Sequence, residues 1–158
     1  MFLATQSQSK AEAKFWRKIK MQTQIRREIP KPVSEVLAYQ NDRLLQRYST
    51  DYGVSMVEAD RRFKALKEFM IVCAVKPGYK VTSDPIDQMW HTFLLFTKDY
   101  KNFCEENLGM FINHEPFETA APQAYVETRI FAEEYFGHLD EELWSPNAKA
   151  DCSSGCGE

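Results

Sequence analysis

Hydrophobic residues recur at helical intervals along most of the chain. In residues 56–75 they fall three or four positions apart, as the buried face of a helix requires. The same spacing predicts helices over residues 9–25, 33–49, 84–107 and 123–136, and we identify no convincing strand. We therefore predict an all-α fold, a compact bundle of about five helices with an irregular loop around 109–122.

Local signals indicate where these helices begin and end. Ser55 followed by Glu58 has the capping-box spacing of a helix start. Pro85 lies near the first helical position of the fourth helix, where its missing N–H costs nothing. Gly109 and Gly137 can adopt the left-handed conformation that ends a helix.

The length of 158 residues fits one domain, which we divide into three parts. Residues 1–30 form a basic N-terminal helix or arm, residues 31–144 a helical domain, and residues 145–158 a flexible tail that contains two cysteines. Charge is uneven, since residues 1–50 carry ten Lys/Arg against four Asp/Glu, and the remainder carries ten against nineteen. A basic N-terminal arm could meet an anionic surface, but we favour the interpretation that the basic and acidic halves attract each other within one fold.

Composition excludes several classes of protein. No segment approaches the ~18 apolar residues of a membrane span, and the N-terminus lacks the apolar core of a secretory signal. We therefore predict a cytoplasmic protein with reduced cysteines, in which Cys73 and Cys104 are buried thiols. The basic residues form no dense run, which argues against nucleic-acid binding and leaves a protein partner for the basic N-terminal helix.

Candidate chemistry begins with Asp87 and His91, which lie one helical turn apart. The two side chains can share a metal ion, or the carboxylate can orient the imidazole for proton transfer. Such pairs also occur on ordinary helix surfaces. On a straight helix Cys104 would lie about 20 Å beyond His91 and point elsewhere, so we do not expect it to bind the same ion.

His114 follows in the irregular loop. The intervening loop can span about 30 Å and return the chain toward His91. This return would complete a set of two histidines and one carboxylate, which suits zinc or another transition-metal ion. The alternative is a His114 that packs in its loop and bonds a backbone carbonyl. Two imidazole rings more than about 8 Å apart would exclude a shared ion.

The tail contains Cys152 and Cys156, a Cys-x3-Cys pair that can hold a soft metal ion. Alone it supplies two ligands, so it would serve as an extra clamp on the histidine site or as a pair of incidental thiols. Phosphate-binding glycine loops, nucleophile elbows and His-Glu-x-x-His motifs are absent from the sequence.

Two segments carry a family resemblance. The run DPIDQMWHTFLLFTKDYKNFC at 84–104 and the run GMFINHEP at 109–116 resemble the glycine-rich domain-containing protein-like family. Its pattern reads D-x-x-W-H, then T-x-x-Y-x-x-x-C, then G-x-F-I-x-H-x-P. The likeness covers roughly residues 55–158, and it implies a helical domain but no substrate. It singles out six positions: Asp87, Trp90, His91, Tyr100, Cys104 and His114.

The chain also departs from that resemblance. Many relatives have histidine where this chain has Phe93 and Asn113, so fewer imidazoles are present here. Phe93 lies on the apolar arc of its helix, which indicates a core position.

Three functions fit the sequence. The first is a metal-binding protein that uses Asp87, His91 and His114. The second is a protein interaction module without chemistry, which contacts its partner through the N-terminal helix. The third is an enzyme in which His91, oriented by Asp87, acts as a general base. A deep pocket lined by His91, His114 and Tyr100 would favour it.

Overall fold

The computed structural model describes residues 26–78, 80–116 and 122–146, together with the backbone of residues 154–156. Within them the predicted all-α fold is confirmed. The six α-helices are α1 (Val33–Ala38), α2 (Asp42–Tyr52), α3 (Met56–Val75), α4 (Asp84–Leu95), α5 (Thr97–Phe103) and α6 (Pro122–Phe136). A π-helical turn, Cys104–Leu108, continues α5. The helix predicted over 9–25 lies outside the described residues.

Helix α3 forms the centre of the bundle. It begins after Ser55, whose side chain accepts a hydrogen bond from the backbone N–H of Glu58 at 3.1 Å, so the predicted cap is confirmed. Every residue from Ala65 to Val75 is buried, because α3 packs against α1, α2, α4 and α6. A helix covered on all sides is expected to be apolar on all sides, as this half of α3 largely is. No helix among the described residues combines the length and apolar character needed to cross a bilayer.

The single helix predicted over 33–49 is wrong, because the chain breaks between α1 and α2. Asn41 caps α2 by accepting a hydrogen bond from the N–H of Leu44 at 3.1 Å. The Lys67 ammonium donates to the carbonyls of Leu37 and Tyr39, at 2.6 and 2.8 Å, and thereby satisfies the free end of α1. Burial lowers the pKa of Lys67 to about 8. The break therefore depends on a lysine from a distant helix.

The single helix predicted over 84–107 is also wrong. Helix α4 stops at Leu95, and Phe96 adopts φ −90° and ψ 58°, which redirects the chain into α5. Tertiary contacts stabilise this bend: Asp99 accepts hydrogen bonds from the side chains of Asn41 and Arg43, both at 3.0 Å. The straight helix assumed for placing Cys104 therefore does not exist.

Helix α6 and its end agree with the sequence. It spans Pro122–Phe136 against a predicted 123–136, and Gly137 ends it with a φ of 77°. Helix α6 packs against α3 and against the first strand of the short sheet described next.

Three short strands were not predicted. Strands β1 (Lys80–Val81), β2 (Glu115–Pro116) and β3 (Ser154–Cys156) form an antiparallel sheet in the order β1-β3-β2. The central strand comes from the segment that the sequence predicted as a loose tail. This strand pairs with β1 on one side and with β2 on the other, and β2 begins directly after His114. The sheet therefore joins three parts of the chain that are far apart in the sequence.

The cysteines also differ from the prediction. Cys104 is a buried free thiol, as expected. Cys73 is buried too, but it is disulfide-bonded rather than free. We expected reduced cysteines because the sequence shows no secretory signal. That observation cannot indicate which cysteines lie close enough in the fold to form a disulfide. The side chains of Cys152 and Cys156 lie outside the described residues.

Candidate metal centre

Asp87, His91 and His114 converge on one point of the surface, which we call the candidate metal centre. His91 Nδ1 lies 3.1 Å from Asp87 Oδ2, and His114 Nε2 lies 3.2 Å from Asp87 Oδ1. One donor atom from each residue lies within 4.8 Å of the other two. The two imidazole ring centroids are 4.6 Å apart, so the predicted return of the loop toward His91 is confirmed.

The three side chains differ in exposure. Those of Asp87 and His114 are 7% and 5% exposed, whereas that of His91 is 55% exposed. The centre therefore has a buried floor and one side open to solvent. Because water is excluded from the floor, polar atoms there need partners from the protein or from a bound ligand.

His114 Nε2 is buried and has no hydrogen-bond partner among the described residues. Its 3.2 Å approach to Asp87 satisfies the distance of an ion pair but not the geometry of a hydrogen bond. A buried polar atom without a hydrogen bond costs about 1–3 kcal/mol, so this nitrogen requires an explanation.

Stacked rings hold the imidazole of His114 in place. It lies between Trp90, at a centroid distance of 4.1 Å and an interplanar angle of 26°, and His91, at 4.6 Å and 23°. Trp90 is fully buried and packs edge-on against Phe69 of α3. The plane of the His114 ring is thus set by the core of the bundle.

Helix α5 anchors the loop that carries His114, residues 109–114, which we call the site loop. The hydroxyl of Tyr100 accepts a hydrogen bond from Trp90 Nε1 at 3.0 Å and donates one to the carbonyl of Ile112 at 2.6 Å. The thiol of Cys104 interacts with Tyr100 and with the backbone of Ile112. These contacts fix the chain two residues before His114.

Burial raises the pKa of the Cys104 thiol to about 11. The thiol therefore stays protonated at neutral pH, which makes it a poor metal ligand. Burial likewise raises the pKa of Tyr100, whose hydroxyl is engaged with Trp90 and Ile112. Both residues contact the site loop and not the donor atoms of the candidate metal centre.

The site loop begins with a left-handed glycine. Gly109 has a φ of 73°, and a Cβ added there would lie 3.0 Å from Cδ of Pro30. Sequence reasoning identified Gly109 as a helix stop but missed Pro30 and Ile112 as positioning residues. Pro30 gave no signal because its partner is 79 positions away along the chain.

The remaining residues singled out by the sequence lie elsewhere. Phe93 is fully buried among aromatic rings, as its helical position predicted, and Asn113 is exposed. His138 is exposed and lines a cleft of about 320 Å³ together with Arg129 and Trp144. That cleft is not lined by Asp87, His91 or His114.

Comparison with known proteins gives one match. A family model described as UCP032817-like matches residues 35–132, which is more than half of the chain and includes α4, α5 and the site loop. No curated protein and no solved structure matches. The family description names no activity and does not mention a glycine-rich domain. On the length of this match, the chain belongs to the UCP032817-like family.

Proposed function

We propose that the protein binds zinc or another transition-metal ion through Asp87, His91 and His114. The observation that carries the proposal is the buried Nε2 of His114, which faces a carboxylate and a second imidazole without making a hydrogen bond. An ion held between these groups would use the lone pair of that nitrogen.

The distances support a small ion. Bonds of ~2.0–2.1 Å place neighbouring ligands of a tetrahedral zinc ion about 3.3 Å apart. The two approaches of Asp87 to the imidazoles, 3.1 and 3.2 Å, are close to that spacing. The three donor atoms lie within 4.8 Å of one another, which is a separation that ligands of one ion can have.

The ligand types narrow the choice of metal. Two imidazoles and one carboxylate suit zinc, copper, iron or nickel better than calcium or magnesium, which prefer oxygen ligands alone. Three protein ligands would leave a fourth position open, and the exposure of the His91 side chain supports a position that solvent can reach. Water would occupy it, or the thiolate of the one tail cysteine, Cys152 or Cys156, that is not bonded to Cys73.

The burial of His114 is the reason to prefer this function to a structural histidine pair. An exposed His91 beside Asp87 is an ordinary surface contact and needs no ligand. A buried imidazole nitrogen without a hydrogen bond is not ordinary. The interaction-module hypothesis depends on the N-terminal helix, which lies outside the described residues.

Zinc titration of the metal-free protein tests the proposal. We expect wild-type protein to bind one zinc ion per chain in calorimetry, and His91→Ala and His114→Ala to lose that binding. His138→Ala is the matched control, because it removes an exposed histidine distant from the centre. Zinc binding that survives in both site variants, or no binding to the wild type, would refute the proposal.

Cobalt substitution identifies the ligands. Cobalt bound by nitrogen and oxygen alone gives visible d–d bands without the near-ultraviolet charge-transfer band of a thiolate ligand. A charge-transfer band that disappears in Cys152→Ser or Cys156→Ser would add that cysteine to the ligand set.

A further inference from the structure

The tail strand β3 lies beside the site loop. It pairs with β2 through Glu115 opposite Gly155 and Pro116 opposite Ser154, and Glu115 directly follows His114. On its other side β3 pairs with β1 through Lys80 opposite Cys156. Strand β2 pairs only with β3 in this sheet, so the tail strand connects the end of the site loop to the body of the protein.

A disulfide provides a second attachment. Cys73 lies in the last two turns of α3, is buried and is disulfide-bonded, whereas Cys104 is free. The sequence contains two further cysteines. Cys156 is the last residue of β3, and Cys152 lies two positions before the first residue of β3. Either cysteine, bonded to Cys73, would tie β3 to the central helix.

We infer that the Cys73 disulfide acts as a clasp which, through β3 and β2, holds His114 in the metal centre, so that reducing the disulfide weakens metal binding. The inference rests on the proposed function, since it concerns the regulation of the same site. Trp90 and Ile112 also hold the site loop, so opening the clasp loosens His114 without releasing it.

The chemistry of the switch is thiol–disulfide exchange with a dithiol reductant. A thiolate of the dithiol attacks one sulfur of the disulfide, a mixed disulfide forms, and the second thiolate displaces the other protein sulfur. The protein gains two electrons and two protons as two thiols, and the dithiol becomes a cyclic disulfide. Because disulfides persist only in oxidising surroundings, the affinity of the site would follow its redox environment.

The experiment avoids reductants, which bind zinc themselves, and uses serine variants of the full chain. Peptide mapping of the oxidised protein first identifies the tail cysteine that is bonded to Cys73. We then compare Cys152→Ser and Cys156→Ser, of which one opens the clasp and the other leaves it closed. Zinc affinity is measured in both, and hydrogen exchange is measured in both without metal, where a loss of a thiolate ligand has no effect. Cys73→Ser is avoided, because it would add a polar group to the buried core.

We expect the variant that opens the clasp to bind zinc about tenfold more weakly, within the usual range for coupled sites. We also expect faster hydrogen exchange at the backbone amides of His114 and Glu115 in that variant without metal. Equal hydrogen exchange in the two metal-free variants, or a Cys73 that maps as a free thiol, would overturn the clasp and leave the proposed function intact. No zinc binding to any form, including the wild type, would overturn the proposed function and the clasp with it.

Discussion

Helix α4 and the site loop bring their side chains to the same point by different means. Asp87 and His91 meet because residues four apart on a helix share a face, and their 3.1 Å contact needs no other part of the protein. His114 meets them only because distant residues hold its loop in place. One half of the candidate metal centre is thus local, and the other half is a product of tertiary structure.

The difference in burial follows from this difference in origin. His91 lies on the solvent side of α4, and its loss would leave the fold unchanged. His114 is inserted between Trp90 and His91, so its position reports whether the loop is properly folded. Substitutions far from the ligands should therefore weaken metal binding when they loosen the site loop. Equivalent substitutions elsewhere in the protein should leave metal binding unchanged.

Removal of the Tyr100 hydroxyl should have the largest effect. Tyr100→Phe leaves the Trp90 indole N–H and the Ile112 carbonyl without their partner, and each orphaned buried group costs about 1–3 kcal/mol. We expect a loss of about 2–4 kcal/mol in the free energy of unfolding by urea denaturation. We also expect weaker zinc binding, because the loop loses its anchor.

Tyr125→Phe is the matched control for Tyr100→Phe. Tyr125 is equally buried, and its hydroxyl donates one hydrogen bond, to the carbonyl of Ser145 at 2.9 Å, far from the site loop. This change should cost about 1 kcal/mol and leave zinc affinity unaltered. Should both variants weaken zinc binding equally, the effect of Tyr100 would be one of general stability and not of loop placement.

The turn at Gly109 should have an intermediate effect. Gly109→Ala imposes a side chain at a φ of 73°, which costs roughly 1–2 kcal/mol, and its Cβ also crowds Cδ of Pro30 at 3.0 Å. Gly53→Ala is its control, because φ there is 63° and a Cβ would meet nothing within 4 Å. Chemical denaturation should give the larger loss for Gly109→Ala, and only that variant should bind zinc more weakly. Equal losses of stability in the two variants would show that Pro30 moves away from the added Cβ at no cost in free energy.

The same contrast explains what the sequence alone could predict. Local periodicity and capping gave α3 from Met56 to Val75, the left-handed end at Gly137 and the Asp87–His91 pair. Each of these depends on residues a few positions apart, which the sequence presents side by side.

Features that depend on distant partners could not be predicted in this way. The bend at Phe96 contains no glycine or proline, and it is stabilised by contacts of Asp99 with α2. The break after α1 depends on Lys67, thirty positions from the Leu37 carbonyl that it satisfies. Loop length showed only that His114 could return to His91. Tyr100 and Trp90 secure that return, but the sequence singled them out only as positions of a family pattern, without indicating their contacts.

The two histidines themselves provide the smallest and most discriminating comparison. In the metal-free protein, His91→Ala should change the free energy of unfolding by less than about 0.5 kcal/mol, because the side chain is half exposed. His114→Ala should cost about 1 kcal/mol, since it removes a ring stacked on Trp90. At a hundredfold excess of zinc over its dissociation constant, the wild type should gain about 2.7 kcal/mol, and both variants should lose that gain. Thermal denaturation with and without zinc measures all four quantities. An ion shared between a local and a tertiary ligand requires unequal losses of stability without zinc and an equal loss of the zinc-dependent gain. A gain that survives in His91→Ala would exclude His91 as a ligand of that ion.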